Sequence, residues 1–340
     1  MERLTIIFGF CFAYIVIVTL VGMWSLRRTR DTDSFMTAKH QMGPIVIGIL
    51  MMSEFIGTGS TLGTAQTAYD KGISAAWNLI TLGLGYLLYA YLLAPGFNKL
   101  GEYTISGALA SKYGNGIRTV VSLTMIYALI TVNVSMYTGG AATAASLLNI
   151  PIETAVLFIA AAAILNVSFG GIRGVGYSNL IHATFKYLGL IVVAWAGWSM
   201  LHARPEAYKL IPQNHYSLTG VGISTLIAWT VGNVGAVFST QYVIQCISTL
   251  SSPQDAKKAS IVASASIVPI GLLAAYIGVS SRALFPNIKS VMAMPAFFNV
   301  MNPWTAGIAV SSIIAATFVT ILACQLGAKV AAMKIGRAHV

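Results

Sequence analysis

The stretch SEFIGTGSTLG, from Ser53 to Gly63, places one acidic residue and three glycines inside a strongly apolar segment. The acid is Glu54, and Gly57 and Gly59 follow it closely. A carboxylate within a lipid bilayer is unfavourable and by default marks an ion or substrate route. Carbonyl groups of a broken helix and one carboxylate would form a hard oxygen cage that suits a small cation. The alternatives are that Glu54 carries a proton, or that structural hydrogen bonds neutralise it.

The chain as a whole is unusually apolar. Of its 340 residues, 56% are hydrophobic and 9% are charged, and the mean hydropathy is +0.77. Ordinary soluble domains carry about 25% charged residues. Apolar runs of about 20 residues, long enough to cross a ~30 Å hydrocarbon layer, recur along the sequence. We therefore predict an all-α, polytopic protein whose partner is the lipid bilayer, and the net charge of +11 requires no nucleic acid.

Several classes of site are absent from the sequence pattern. Cys11, Cys246 and Cys324 are scattered and form no CxxC motif, so they predict neither a disulfide framework nor a metal site. We see no metal-ligand cluster, phosphate loop or nucleophile triad, and we expect neither enzyme activity nor a cofactor. The last residues, 335–340, match the translation of a common sequencing adapter, so we interpret them as a non-native tail. The alternative is a short basic tail.

Nine apolar spans can be drawn through the sequence. They cover roughly 5–26, 43–69, 73–95, 118–148, 152–170, 177–201, 219–246, 259–281 and 304–328. We interpret the first as a retained span rather than a signal peptide, because it is long and lacks a small-residue cleavage site. With the N-terminus outside, twelve Lys and Arg residues fall in inside segments and six in outside segments. This bias predicts an inner-membrane protein with that orientation.

Glycines weaken two of these spans. Gly57 and Gly59 lie in the second span, and Gly232 and Gly235 lie in the seventh. Two weakened helices five spans apart are what an inverted repeat of five helices would give. Paired interrupted helices are the best sequence pointer to a transporter's substrate site. The alternative is that these glycines serve close helix packing.

Longer stretches resemble a known family. They are SEFIGTGSTLGTAQTAYDKGISAAW, LLAPGFNKLGEYTISGALASKYG, SFGGIRGVGYSNLIHATFKYLG and TQYVIQCISTLSSPQDAKKAS, and they resemble the sodium:solute symporter family. The resemblance covers about Ile6 to Met333. It implies the LeuT-type fold, with a leading helix and loop at 1–42, a first five-helix repeat at 43–201 and an incomplete second repeat at 202–334. Members of the family import sugars, amino acids, carboxylates, vitamins or ions with sodium.

The resemblance also implies a sodium site. The carbonyls of Ile47 and Leu50 match backbone ligands of the first broken helix, and Glu54 resembles a position that faces the cation or substrate. Thr320 of the ninth span keeps a matching hydroxyl. Val319 and Ala323 stand where the family carries further hydroxyls, so a sodium ion would lack an expected ligand.

The sixth span departs from the family's Thr-Asp-x-x-Gln pattern, because this chain reads Ser178-Asn179-Leu-Ile-His182. Asn179, His182 and Lys186 share one helix face, and Lys186 lies about 15 Å from the inner end of the span. The Lys186 ammonium could replace sodium, and a proton cycling on it could replace sodium coupling. The alternatives are a structural pair with Glu54 or backbone carbonyls, or an inward water cavity.

The predicted substrate-binding residues come from three spans. They are Glu54, Gly57, Gly59, Ser60, Asn133 and Asn233. Asn233 matches a substrate-contacting position in the resembling sugar transporters, but it could instead bond a neighbouring helix. Ala236 stands where those transporters carry a gating Tyr, which favours an amino acid or carboxylate over a sugar.

These features predict a cation-coupled importer of a small polar organic solute that works by alternating access. The coupling ion is Na+ by resemblance, with H+ as the alternative. A second class of function is the transporter-like input domain of a membrane sensor kinase. A passive channel is less well supported, because no ring of repeated filter residues is visible. The oligomeric state is not predicted.

Overall fold

The computed structural model describes residues 2–26, 42–148 and 150–337, and every regular element in them is helical. The α-helices are α1 (Glu2–Leu26), α2 (Pro44–Ser53), α3 (Thr58–Lys71), α4 (Trp77–Leu92), α5 (Ala94–Leu100), α6 (Ile105–Tyr113), α7 (Gly116–Leu148), α8 (Ile152–Ala203), α9 (Ile223–Ser239), α10 (Gln241–Ser248), α11 (Pro253–Leu284), α12 (Pro295–Val300) and α13 (Pro303–Arg337). Short 3₁₀ turns lie at Ile73–Ala76, Pro205–Leu210, Gln213–Tyr216 and Ser290–Met292. The predicted fold class is confirmed.

Within the described residues, six helices are long and apolar enough to cross a membrane. Two bent pairs, α2 with α3 and α9 with α10, raise the number to eight if each pair is one span. The expected span at 152–170 is represented by a shorter apolar stretch, Ile152–Ala161. The prediction of nine spans is therefore not confirmed, and the division into two repeats stays a prediction. Residues 338–340 of the proposed tail lie outside the described part.

The helix α8 is longer than the sequence analysis expected. It covers both the fifth and the sixth predicted spans in 52 residues without an assigned break. At 1.5 Å per residue, a straight helix of that length would measure about 78 Å. Glycines at 170, 171 and 174 weaken a helix by about 1 kcal/mol each but leave its hydrogen bonds intact, and no proline lies between Ile152 and Ala203.

One long helix supports both halves of the first bent pair. Gly48 of α2 lies so close to α11 that an added Cβ would stand 2.6 Å from the Ala259 carbonyl oxygen. Gly278 of α11 approaches α3 in the same way, with 2.2 Å between an added Cβ and the Ala65 oxygen. Small residues at such contacts let helices in a bilayer pack closely. α11 therefore fixes α2 and α3 on either side of the bend.

A second long helix, α13, closes the opposite side. It packs along α8, α7 and α1. An added Cβ at Gly189 of α8 would stand 2.1 Å from Ser312, and one at Gly140 of α7 would stand 2.3 Å from Thr317. These contacts bring the polar residues of α8 and α13 to the bend between α2 and α3.

Candidate substrate and cation site

The second predicted span is broken at the residues that the sequence singles out. α2 ends at Ser53, α3 begins at Thr58, and the two helices are bent by 63°. Gly57 stands directly before α3 in an extended conformation, with φ −90° and ψ −171°. The residues from Glu54 to Gly57 are thus outside both helices. The prediction of an interrupted helix with an acid at the interruption is confirmed by this geometry.

Three carbonyl groups of this break already have protein donors. The Ser60 hydroxyl donates to the oxygens of Phe55 and Gly57, at 2.8 and 2.9 Å. The Lys186 ammonium donates to the Ile56 oxygen. Non-helical backbone at membrane depth persists only where its polar groups are satisfied. Ser60, predicted to bind substrate, therefore stabilises the start of α3 in this conformation.

Two residues of α8 contact both ends of the break. The Asn179 amide donates to the Ser53 hydroxyl at 2.8 Å, and Lys186, seven residues further along α8, donates to the Ile56 oxygen. Both side chains are almost fully buried. In the described part of the chain, Lys186 forms no ion pair with Glu54. Of the alternatives weighed for Lys186, the contact with a backbone carbonyl is the one observed.

His182 lies apart from these two residues. Its Nδ1 shares a hydrogen bond with the Tyr14 hydroxyl of α1, and its ring stacks on Phe318 of α13. The Nε2 atom is buried and has no hydrogen-bond partner among the described residues. The predicted face of α8 is therefore divided: Asn179 and Lys186 contact the break, and His182 contacts α1.

The residues implied as sodium ligands lie together beside the first break. Ile47 and Leu50 are fully buried in α2, and the Leu50 oxygen accepts from the Ser53 hydroxyl at 2.6 Å. The Thr320 hydroxyl of α13 donates to the Ser53 oxygen at 3.3 Å. Ala323 is buried and supplies no hydroxyl, while the side chain of Val319 lies outside the described part. Ligation of sodium by these groups stays a prediction.

The seventh predicted span is also broken, but not at its glycines. α9 runs through Gly232 and Gly235 to Ser239, and the bend of 48° falls at Thr240. An added Cβ at either glycine would meet no described residue within 4 Å. The expected interruption therefore lies at Thr240 and not at these glycines, and close packing by them is not observed among the described residues. Glycine weakens a helix by about 1 kcal/mol without removing a hydrogen bond, so it marks a break only when tertiary contacts make one.

A single hydrogen bond joins the two breaks. The Thr240 hydroxyl donates to Glu54 Oε1 at 2.5 Å. Glu54 is 6% exposed, and its Oε2 atom has no hydrogen-bond partner within the described chain. The sequence analysis did not identify Thr240. This residue is neither charged nor a glycine, and it begins the quoted TQYVIQ stretch. The Glu54 carboxylate of the first break therefore accepts a hydrogen bond from Thr240, the residue at the second break.

Two predicted substrate residues occupy different surroundings. Asn133 of α7 is 9% exposed, and its Oδ1 has no partner in the part that the structure describes. Met136, one turn further along α7, stands 2.7 Å from a Cβ built on Gly57 and 3.8 Å from one built on Gly59. Because residues three apart share a helix face, Asn133 lies on the side of α7 that faces the break.

Asn233 bonds a neighbouring helix. Its amide donates to the Asn78 oxygen at 2.8 Å and to the Thr81 hydroxyl at 2.9 Å, both on α4. This is the helix-bonding alternative that the sequence left open. A substrate contact by Asn233 stays a prediction, and in this conformation its donors are occupied.

The chain also holds an apolar cavity of about 460 Å³ between α1, α7, α8 and α13. Its walls include Phe12, Phe158 and Ile314. No predicted site residue lines this cavity, so it is distinct from the site at the two breaks.

Comparison with known proteins bears on this geometry. The profile of the sodium:solute symporter family matches residues 35–334. The chain belongs to the sodium:solute symporter family. This symporter-family chain is 24% identical over 325 residues to the sodium/glucose cotransporter of Vibrio parahaemolyticus, covering 86% of the chain and 60% of that protein. It is 24% identical to the sodium/proline symporter of Escherichia coli (strain K12), covering 93% of the chain and 67% of that protein.

A solved structure shows the same fold. It is the substrate-bound, outward-open state of a Na+-coupled sialic acid symporter, which matches with a TM-score of 0.80 at 17% identity. The match covers 96% of this symporter-family chain and 73% of that one. The LeuT-type fold is thereby confirmed. The chain spans about 60% of the length of the glucose cotransporter, so the solute of the whole protein does not follow from this match.

Proposed function

We propose that this protein is a cation-coupled secondary transporter that imports a small polar organic solute. The observation that carries the proposal is the Glu54–Thr240 hydrogen bond, which places a buried carboxylate between two broken helices. Broken helices that meet at membrane depth are the usual location of substrate and ion sites in secondary transporters. An amino acid or carboxylate is favoured over a sugar, and the protein lies in the inner membrane with its N-terminus outside.

Alternating access requires the two breaks to separate and meet again. The hydrogen bond from Thr240 to Glu54 is the contact that must change partner as the site opens to one side. Solute or cation would then take the place of Thr240 beside Glu54 Oε1. Each ligand can shift the balance of states only through its different affinity for them. The carboxylate is the group that senses both ligands.

Sodium is the first candidate for the coupling ion. Family membership supports it, as does the Na+-coupled structural relative. The carbonyls of Ile47 and Leu50, the Thr320 hydroxyl and the Glu54 carboxylate would supply oxygen ligands. The hydroxyls missing at Val319 and Ala323 predict weaker sodium binding than a full set of ligands would give.

The proton is the second candidate, and one observation favours it. The buried Lys186 ammonium donates to Ile56 in the break, where it places a positive charge without any metal ion. A lysine that gains and loses a proton could therefore couple transport in place of sodium.

The test is uptake into proteoliposomes under sodium and proton gradients imposed separately. Radiolabelled L-proline, pantothenate and D-glucose are the first solutes to try, because relatives are named for them. We expect accumulation of a solute above equilibrium under a sodium gradient. If a proton gradient alone drives uptake and Lys186→Met abolishes it, the proton is the coupling ion. Lys209→Met, at an exposed lysine, is the matched control. No accumulation under either gradient, for these or any other solute screened, would refute secondary transport.

A further inference from the structure

One polar atom at the meeting point of the two breaks is unexplained by the fold. Glu54 Oε1 accepts from Thr240, but Oε2 is buried and has no hydrogen-bond partner in the described residues. A buried polar atom without a partner loses its solvation without compensation, and the loss is larger for a charged group. Such an atom in a native site points to a ligand that supplies the missing donor.

The surroundings of Glu54 are aromatic. Tyr86 of α4 and Tyr242 of α10 are fully buried, and Tyr242 lies two residues after Thr240, the donor to Glu54 Oε1. Phe55 packs edge-on against Tyr86, with 6.0 Å between the ring centroids. Tyr89, one turn along α4, packs against Phe238 of α9 at 5.9 Å. The carboxylate thus stands among rings from α4, α9, α10 and the break itself.

The tyrosine hydroxyls near the first break differ in their partners. The Tyr86 hydroxyl donates to the Met51 oxygen of α2, whereas the hydroxyl of Tyr89 is buried without a hydrogen-bond partner in the described chain. The Tyr86 ring therefore packs beside the break with its hydroxyl already engaged, and it leaves Oε2 without a donor.

We propose that the transported solute carries a cationic amine, and that Glu54 Oε2 binds its ammonium group among the rings of Tyr86 and Tyr242. This inference rests on the proposed transport function and names the chemical class of the solute. An ammonium group supplies the donor that Oε2 lacks, and its charge is attracted to the negative faces of aromatic rings. The charge-assisted bond would hold the solute between α4 and the two breaks.

The other ligand classes fit these atoms less well. A carboxylate or phosphate group would be repelled by Glu54, so of the two solute classes proposed above this inference selects the amino acid, which carries an ammonium group, over the simple carboxylate. A metal cation needs several oxygen ligands, and the nearby oxygens of Phe55, Ile56 and Gly57 already accept from protein donors. A neutral hydroxyl could donate to Oε2, but it would gain no attraction from the charge or the rings.

The test compares amines with neutral molecules of the same shape. The purified full chain is heated in detergent, with sodium present, beside increasing concentrations of L-prolinamide or putrescine, both of which carry N–H donors on a cationic amine. The neutral partners are tetrahydrofuran-2-carboxamide and 1,4-butanediol. We expect at least one amine to raise the unfolding temperature at concentrations about tenfold or more below its neutral partner, the loss expected for a charge-assisted hydrogen bond. Equal effects within every pair, or no effect of any amine, would overturn the inference.

Two variants locate the effect. Glu54→Gln is expected to remove the preference for the amine by the same factor of about ten or more. Glu153→Gln, at an exposed glutamate of α8, is expected to keep it. A Glu54→Gln protein that retains the full preference would contradict the role of Oε2. If Glu54→Gln does not fold, the comparison of each amine with its neutral partner in the unaltered protein still decides. Amine binding without gradient-driven uptake would refute the transport proposal and leave this inference standing.

Discussion

The two broken helices of this chain differ in what holds them. The first break is contacted by α8 and α13: Lys186 bonds the Ile56 oxygen, while Asn179 bonds the hydroxyl and Thr320 the backbone oxygen of Ser53, at the edge of the break. The second break is a single residue, Thr240, whose side chain bonds only Glu54 among the described residues. Its flanking helices are fixed elsewhere, and the first break is therefore the more strongly held of the two.

The flanks of the second break are fixed to neighbouring helices. Asn233 joins α9 to α4, while Gln241 bonds the backbone of Tyr103 and Ile105 at 3.0 Å in both cases. α9 and α10 are thus attached to different partners, with Thr240 between them. Segments that move in a conformational change are drawn from regions with few stabilising contacts. We infer that the second break is the hinge and that the first forms the fixed wall of the site.

The largest difference between the two breaks is expected when a glycine near each of them is replaced by alanine. Gly57→Ala places a Cβ 2.7 Å from Met136 Sδ and 2.9 Å from the Thr320 hydroxyl, which predicts a loss of about 1–3 kcal/mol in unfolding free energy and loss of uptake. Gly235→Ala adds a Cβ that meets no described residue within 4 Å, and we expect a gain of up to about 1 kcal/mol with uptake kept. Unfolding in detergent and uptake in proteoliposomes measure both. Equal losses in the two variants would remove the distinction between the breaks.

The glycines also show which parts of the site can be predicted from the sequence. Glu54, Gly57 and Gly59 predict the first break because a charge and flexible backbone coincide in one apolar run. Gly232 and Gly235 predict a second break that lies instead at Thr240, since a glycine that faces open space leaves a helix intact. What makes Thr240 special is the partner it meets, Glu54, which is 186 residues away in the chain. Such a contact exists only in the folded structure.

The residues of α8 show the same limit of prediction from sequence. The periodicity of a helix places Asn179, His182 and Lys186 on one face. The structure then divides that face between two neighbours, the break and Tyr14 of α1. Periodicity predicts which residues point in roughly one direction. It does not predict which helix meets each of them.

A second comparison concerns the link between the breaks. Thr240→Val removes the donor to Glu54 Oε1 and keeps the shape of the side chain. Hydrogen bonds to charged groups contribute about 1.5–3 kcal/mol, so we expect a loss of about 2 kcal/mol in the stability of the closed arrangement. The measurement is protection of a cysteine placed at Ile56, a buried residue of the first break, from a membrane-impermeant reagent, together with uptake.

The control for that variant is Thr230→Val, in the same helix. The Thr230 hydroxyl donates to the Leu226 oxygen of its own helix at 2.7 Å, so its loss leaves the two breaks joined. We expect normal uptake from Thr230→Val. A normal rate from Thr240→Val as well would show that the hydrogen bond plays no part in closing the site.

The smallest effect is expected where the second break is attached to α4. Asn233→Ala removes two hydrogen bonds to Asn78 and Thr81, and bonds between membrane helices contribute about 0.6 kcal/mol each on average. We therefore expect a loss of about 1 kcal/mol in unfolding free energy and an unchanged KM for uptake. Thr81→Val, which removes one of the two acceptors, should lose about half as much. A rise in KM without loss of stability would instead place Asn233 in the substrate site, as the family resemblance implies, and the fixed flank of the hinge would have to lie elsewhere on α9.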